Sequence, residues 1–103
     1  MAGFGGPFIT ERTRVVASRD QLSTKLSGEA VILGLKDSVY YGLDGPGVRI
    51  WELVQEPAAL GDVAETVSRE FDVERDAALR DLVELASDLL NRGLLEIVPD
   101  AAA

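Results

Sequence analysis

The chain has 103 residues and a formal net charge of −8, and 47% of its residues are hydrophobic, so one domain can build a core without disulfide bonds. It contains neither cysteine nor histidine, which excludes disulfides, thiolate metal sites, cysteine nucleophiles and the commonest general base. Residues 1–51 carry six basic and five acidic side chains, whereas residues 52–103 carry four and thirteen. An acidic half of this kind repels nucleic acid and suits a basic partner, although acidic helix faces also serve solubility alone.

The chain shows no targeting or membrane segment. No apolar run approaches the roughly 18 residues that a membrane-spanning helix needs, and the N-terminus lacks the basic and apolar regions of a secretory signal. We therefore expect a cytoplasmic protein with no membrane partner. We divide it into a flexible N-terminal segment (residues 1–11), one domain (residues 12–98) and a tail (residues 99–103).

The first part of the chain predicts β-strands. Residues 12–18 are typical of a short strand, whereas the polar residues 19–28 are typical of a turn. Residues 29–35 (EAVILGL) are almost continuously apolar and rich in β-branched side chains, which predicts a strand covered on both faces. After a tight turn, residues 39–43 (VYYGL) complete a hairpin.

The second part of the chain predicts three helices. Asp44 precedes Gly45-Pro46, and an aspartate side chain can accept hydrogen bonds from the free amides of a helix start while proline suits the first turn. A second helix follows over residues 60–71 and a third over residues 75–91, which Gly93 ends. Three strands followed by three helices predict an α+β fold.

The third predicted helix has more apolar surface than one contact requires. At about 100° per residue its apolar arc is about 160° wide, whereas a helix that lies on a core needs a stripe of roughly 100°. The surplus edge consists of Leu79, Val83, Ala86 and Leu90. Either this edge packs on a neighbouring element of the same core, or it lines one wall of a groove that a partner fills.

Tyr40 and Tyr41 are adjacent in the predicted strand, so their side chains point to opposite faces. Both can be ordinary β-formers. One of them can instead belong to the core and the other to a groove, and a shift of one residue in register exchanges the two. The outer edge of the last hairpin strand can pair with an extended peptide. An open strand beside an apolar helix edge therefore predicts a peptide groove.

These motifs, in this order, resemble the PqqD-like family of RiPP recognition elements, which bind the leader segment of ribosomally made peptide precursors. Over about residues 12–98, the resemblance is carried by Tyr41-Gly42-Leu43-Asp44, Ile50-Trp51 and Leu89-x-x-x-Gly93-Leu94. Asp44 replaces the usual asparagine, and both can cap a helix. The resemblance implies a three-stranded antiparallel sheet followed by a winged-helix-like three-helix bundle. It also implies that the leader binds as an added strand in the cleft between the third strand and the third helix.

In its size the chain resembles the stand-alone leader-binding subunit of lasso-peptide maturation, which delivers the precursor to a separate cysteine-type leader peptidase. Leaders of such systems typically carry a Tyr-x-x-Pro motif. The resemblance implies a protein that is not an enzyme, with no catalytic residue, metal or cofactor. The expected peptide-binding residues are Val39, Tyr40, Tyr41, Ala78, Leu79, Asp81, Leu82, Val83, Glu84 and Ala86.

Other functions stay open on the sequence. A PqqD-type carrier of another precursor in redox-cofactor biosynthesis would use the same groove. A winged-helix DNA-binding protein shares the topology, but its recognition helix would bring four carboxylates towards phosphate: Asp76, Asp81, Glu84 and Asp88. Acidic pairs such as Asp72 and Glu74 could serve acid–base catalysis, although no histidine, cysteine or Gly-rich loop accompanies them. An acidic dimerisation module is also open, because the apolar helix edge could form a homodimer without ligand.

Overall fold

The computed structural model describes residues 9–99, so most of the predicted flexible segment (residues 1–8 of 1–11) and most of the predicted tail (residues 100–103) lie outside the described residues. The elements in chain order are β1 (Arg14–Ala17), β2 (Gln21–Leu26), β3 (Glu29–Gly34), β4 (Tyr40–Asp44), α1 (Pro46–Leu53), β5 (Ala58–Ala59), α2 (Leu60–Phe71), α3 (Arg75–Asn91) and β6 (Leu95–Val98). The predicted α+β class is confirmed. None of the helices within residues 9–99 is long and apolar enough to cross a membrane.

The described strands form two antiparallel three-stranded sheets, ordered β5-β1-β6 and β2-β3-β4. The first predicted strand therefore lies outside the hairpin sheet, and its expected place there is taken by β2, which was predicted as a turn. That prediction was wrong because β2 is an edge strand whose residues, apart from half-buried Gln21, are exposed. Its polar sequence, QLSTKL, fits an exposed edge but carries little of the apolar signal by which strands are recognised.

One hydrophobic core joins both sheets to the three helices. In β3 the buried residues alternate with half-exposed ones, since Ala30 and Ile32 are fully buried whereas Val31 and Leu33 are not. The prediction that this strand is covered on both faces was therefore wrong. The Ile50-Trp51 pair of α1 is buried in the same core, which explains why an aromatic side chain stands on the apolar side of this short helix.

The start of α1 differs from the prediction. Pro46 is the first helical residue, but the residue before it is Gly45 with φ of 54°, and no side chain caps this end. Asp44 is instead the last residue of β4 and is exposed. The positive φ of Gly45 turns the chain sharply from strand to helix, and that conformation favours glycine.

The end of α3 agrees with the prediction. Gly93 has φ of 76°, its N–H donates to the carbonyl of Leu90 (3.1 Å), and the N–H of Leu94 donates to the carbonyl of Leu89 (2.8 Å). These two bonds form a Schellman motif, which satisfies carbonyls that the helix leaves free. The turn buries Leu94 and directs the chain into β6 alongside β1.

We expect Gly93→Ala to lower the free energy of unfolding by about 1 kcal/mol, because an L-residue is strained at this positive φ. Urea denaturation measures the change. The matched control is Gly42→Ala, because Gly42 has no positive φ and a Cβ added there meets no atom within 4 Å. An equal loss of stability in both variants would contradict the explanation.

Candidate functional site

The outer edge of β4 offers unpaired backbone groups. Among the described strands β4 pairs only with β3. The N–H of Gly34 donates to the carbonyl of Val39 (3.0 Å), so these two residues form a hydrogen-bonded pair. Because such pairs alternate along an antiparallel ladder, the backbone groups of Tyr40, Gly42 and Asp44 point away from β3. This edge can therefore accept another strand.

The two tyrosines face opposite sides of the sheet, as their adjacency requires. Tyr41 is half-buried, and its hydroxyl donates to the Oδ2 of Asp88 on α3 (2.8 Å). The guanidinium of Arg92 lies 4.9 Å from the centroid of the Tyr41 ring, and its Nε donates to the Oδ1 of Asp88 (3.1 Å). Tyr40 lies on the other face and is 69% exposed. The structure thus decides which tyrosine faces α3.

The contact between Tyr41 and Asp88 perturbs both groups. Burial raises the pKa of Tyr41, the hydrogen bond and charge of Asp88 raise it further, and Arg92 opposes them. The hydrogen bond from Tyr41, assisted by Arg92, lowers the pKa of Asp88 despite its partial burial. Since the folded chain holds the phenol proton more tightly than the unfolded chain, this contribution to stability is fully present below the ordinary tyrosine pKa and is lost as the pH rises through the higher pKa of folded Tyr41. The contribution of Asp88 is fully present above the ordinary aspartate pKa, and it is lost as the pH falls from there through the lower pKa of the folded carboxylate.

An apolar cavity of about 320 Å³ lies between the start of α1, the second half of α2 and the first two-thirds of α3. It is lined by Pro46, Gly47, Ile50, Val67, Val73, Ala77, Ala78, Asp81, Leu82 and Leu85. Among these residues only Asp81 is charged. The cavity can therefore take an apolar or aromatic side chain and offers one carboxylate at its border.

The side of α3 that meets β4 and the cavity carries Ala77, Asp81, Leu85 and Asp88, whose spacing of four, four and three residues places them on one face. The surplus apolar edge lies roughly 140–180° around the helix from Asp88. Its members pack against or within the core: Leu79, Val83, Ala86 and Leu90. The alternative that this edge packs inside the same core is therefore the one observed. The physical reason is that α3 contacts both α2 and β6, so it needs two apolar stripes rather than one.

The remaining predicted binding residues lie in the cavity, beside it on α3, or just before β4. Ala78 and Leu82 belong to the cavity but are almost completely buried, so they form its floor. Asp81 is exposed at its border, and Glu84 is exposed on the flank of α3 next to Asp88. Val39 is 46% exposed just before β4.

The sequence analysis missed several residues that line the cavity: Pro46, Ile50, Val67, Val73 and Leu85. Leu85 lay within the predicted apolar arc of α3, but periodicity alone does not tell which border of an arc faces another element. The hydrogen bond from Tyr41 to Asp88 identifies the side of α3 that faces β4, and it can be seen only in the tertiary structure.

We expect Tyr41 to titrate above the ordinary tyrosine pKa. In a Tyr40→Phe variant, ultraviolet absorbance reports Tyr41 alone, and its midpoint should fall when the same variant is denatured. Adding Asp88→Asn should lower the folded midpoint only in part, because burial is the largest cause of the shift. Identical folded midpoints with and without Asp88→Asn would contradict the role of this contact.

Solved structures of other proteins share this fold. TbiB1 in complex with the TbiA(β) leader peptide is 33% identical, with a TM-score of 0.75, and the match covers 82% of this chain and 99% of that one. Lasso peptide synthetase B1 complexed with the leader peptide is 22% identical, with a TM-score of 0.70 and coverage of 82% and 98%. The PqqD truncation of Methylobacterium extorquens PqqCD, described as a stand-alone RiPP recognition element, is 15% identical, with a TM-score of 0.72 and coverage of 86% and 95%.

The family described as coenzyme PQQ synthesis protein D matches residues 29–95, which span β3 to the start of β6. No curated protein matches the chain significantly. The family match extends over more than half of the chain, and it agrees with the order of the hairpin, the buried Ile50-Trp51 pair and the Gly93 turn. The resemblance inferred from the motifs is therefore confirmed, and this chain belongs to the PqqD family.

Proposed function

We propose that this chain binds the leader segment of a ribosomally synthesised precursor peptide, a lasso-peptide precursor, as an added β-strand along β4. The observation that carries the proposal is the unpaired edge of β4 beside an apolar cavity and α3. The similarity to TbiB1, whose structure contains a leader peptide, supports the same function. Recognition of this kind needs no catalytic group, so the chain acts as an adaptor.

Main-chain hydrogen bonds supply the first part of the affinity. The outward N–H and C=O groups of Tyr40, Gly42 and Asp44 can pair with any extended peptide, since they do not read side chains. Each bond contributes a net ~1 kcal/mol. These bonds also define the direction in which the leader runs along the cleft.

The apolar cavity supplies the second part and the selectivity. β4 ends at Asp44 and the cavity begins at Pro46, so a leader that follows this edge meets the cavity next. Burial of one tyrosine or proline of a Tyr-x-x-Pro motif there contributes about 1.5–3 kcal/mol. Asp81 can accept a hydrogen bond or pair with a basic leader residue, and such an exposed pair is worth ~0–1 kcal/mol.

Of the residues expected from the sequence, we assign the leader contact to Val39, Tyr40, Tyr41 and Asp81, with Ala78 and Leu82 below them. Leu79, Val83 and Ala86 are positioned to support α3 from the core side. Binding by these three residues, and by Glu84, stays a prediction. The variants of α3 described below separate the two sides of the helix.

The bound leader is delivered to a separate cysteine-type leader peptidase, and the chain works in the cytoplasm. The alternative is a PqqD-type carrier of another precursor in redox-cofactor biosynthesis. Lasso peptide synthetase B1, complexed with the leader peptide, is 22% identical to this chain whereas the PqqD truncation is 15% identical, which favours the lasso-peptide leader.

Calorimetry with a synthetic leader, taken from the precursor gene nearest to that of this chain, tests the proposal. We expect one-to-one binding with a negative heat-capacity change, and loss of binding when Tyr and Pro of the leader motif become Ala. Gly42→Pro should weaken binding by about tenfold or more, or ~1.4 kcal/mol, because it removes one outward N–H. Gly42→Ala keeps that N–H and is the matched control.

The β3 ladder should tolerate Gly42→Pro, because proline is accepted in edge strands where the N–H faces solvent. A thermal melt verifies that the variant stays folded. Full affinity in a folded Gly42→Pro variant would exclude strand addition at β4. No heat from any leader at several temperatures would exclude leader binding itself.

The two sides of α3 give a second test. We expect Leu85→Gln, on the cavity side, to reduce leader affinity about tenfold. Leu79→Gln, on the opposite side of the helix, should leave leader affinity unchanged, although both variants lose stability because Leu79 and Leu85 each pack against the core. Leader titrations and urea unfolding of both variants measure this difference. The reverse pattern would place the groove on the Leu79 side, as the sequence analysis expected.

A further inference from the structure

The outer edge of β2 is a second row of unpaired backbone groups, at the opposite side of the sheet from β4. Among the described strands β2 pairs only with β3. The N–H of Leu35 donates to the carbonyl of Asp20 (3.0 Å), so these two residues form a hydrogen-bonded pair at the start of the ladder. Because such pairs alternate along an antiparallel ladder, the backbone groups of Gln21, Ser23 and Lys25 point away from β3 and can accept another strand.

The side chains of β2 are arranged symmetrically about Thr24. Leu22 and Leu26 lie two residues before and after it, so the three side chains share one face of the strand. Both leucines are unusually open, since Leu22 is 62% exposed and Leu26 is 57% exposed. When two copies of β2 run antiparallel with Thr24 opposite Thr24, each Leu22 lies opposite Leu26 of the second copy. Directly opposite side chains pack together in antiparallel strands, and paired threonines can form a hydrogen bond.

The same register also aligns the backbone groups of the two strands. Ser23 then lies opposite Lys25 of the second copy, and the backbone groups of both residues point away from β3. Each such pair can exchange both of its N–H···O bonds. A register shifted by one residue would place the outward groups of one strand against the inward groups of the other, so the threonine-centred register satisfies backbone and side chains together.

The charges around β2 permit a second copy to approach. A lysine on an edge strand ordinarily prevents association, but the ammonium of Lys25 forms a salt bridge with Glu52 of α1 and is balanced within the chain. Residues 1–51, which include β2, carry six basic and five acidic side chains, whereas the acidic excess lies in residues 52–103. Repulsion between copies is therefore weaker through β2 than through the acidic α3.

A cavity of about 380 Å³ lies beside this edge, between β2 and α1. It is lined by Ser23, Thr24, Lys25, Trp51, Glu52 and Gln55. In the threonine-centred register Lys25 of the second copy lies next to Ser23, over this cavity. Its aliphatic stem can fill apolar space there while its ammonium reaches the carboxylate of Glu52. The two copies are thus complementary in charge as well as in shape.

We infer that two copies of this chain associate through β2, antiparallel and centred on Thr24, into one continuous sheet ordered β4-β3-β2-β2-β3-β4. A second copy brings the leucines at matching positions and the lysine that meets Glu52, which an arbitrary strand does not. Both β4 edges stay free at the ends of this sheet, so the association does not depend on leader binding. A contact between two short strands buries less than about 1,200 Å², which is typical of weak and reversible association.

Cysteine cross-linking tests the register, because the chain contains no cysteine of its own. With oxidised glutathione as the oxidant, Thr24→Cys should form a disulfide-linked dimer, since opposite Cα atoms of a non-hydrogen-bonded pair lie about 4.5 Å apart. Leu22→Cys alone should not, because its two copies lie about 13 Å apart along the strands. A mixture of Leu22→Cys and Leu26→Cys should cross-link again. Non-reducing gels measure all three.

Sedimentation of the chain without any leader tests the association itself. The unaltered chain should shift from monomer to dimer as its concentration rises from about 5 to about 500 μM. Ser23→Pro should raise the dissociation constant at least about tenfold, because it removes an outward N–H, and proline is accepted in an edge strand at such a position. Ser23→Ala keeps the N–H and should stay within about twofold of the unaltered chain. A thermal melt verifies that both variants fold.

Three results would overturn the inference. The first is a monomer at every concentration, and the second is a dimer that a folded Ser23→Pro variant leaves intact. The third is a dimer in which Leu22→Cys cross-links as well as Thr24→Cys, since the copies would then meet in another register or through another surface. If Ser23→Pro does not fold, the cysteine variants still decide, because they leave every main-chain N–H in place.

Discussion

The register of β4 against β3 decides which groups are available to the proposed leader site. Because side chains alternate along a strand, pairing Ile32 with Tyr41 turns Tyr41 towards the core and α3, and pairing Leu33 with Tyr40 turns Tyr40 outwards. The same alternation leaves the backbone groups of Tyr40 and Gly42 without a partner in β3. A slip of one residue would exchange the two tyrosines and place a buried face in water, so the core itself holds the register in place.

The contact between Tyr41 and Asp88 connects this strand to the helix across the cleft. It is supported by Arg92, which hydrogen-bonds the carboxylate and lies over the tyrosine ring, an arrangement worth ~0.5–1 kcal/mol at an exposed site. The three side chains bridge one end of the cleft, while the other end opens into the apolar cavity beside Pro46. These contacts within the chain order the walls of the cleft, and for the proposed leader binding this reduces the entropy loss on binding.

The charge distribution favours peptide and protein partners over nucleic acid. α3 carries Asp81, Glu84 and Asp88 on or next to the side that meets β4, and Glu29 and Asp44 are paired at one end of the β3–β4 ladder. These carboxylates border apolar surfaces rather than forming a separate acidic patch. Apolar contacts can therefore supply affinity while the carboxylates steer basic groups of a partner.

Features that depend on neighbouring residues were determined by the sequence itself. Helical periodicity predicted α2 and α3 with their observed bounds, Gly93 predicted the end of α3, and the apolar run of residues 29–35 predicted β3, which the structure ends at Gly34. Features that depend on distant partners were decided only by the tertiary structure. β2 lacks an apolar signal because it is an exposed edge, and the second sheet arises from pairing β1 with β5 and β6. The side of α3 that faces the cleft likewise depends on where β4 lies, because a periodic sequence defines an apolar arc but not the element that covers each of its borders.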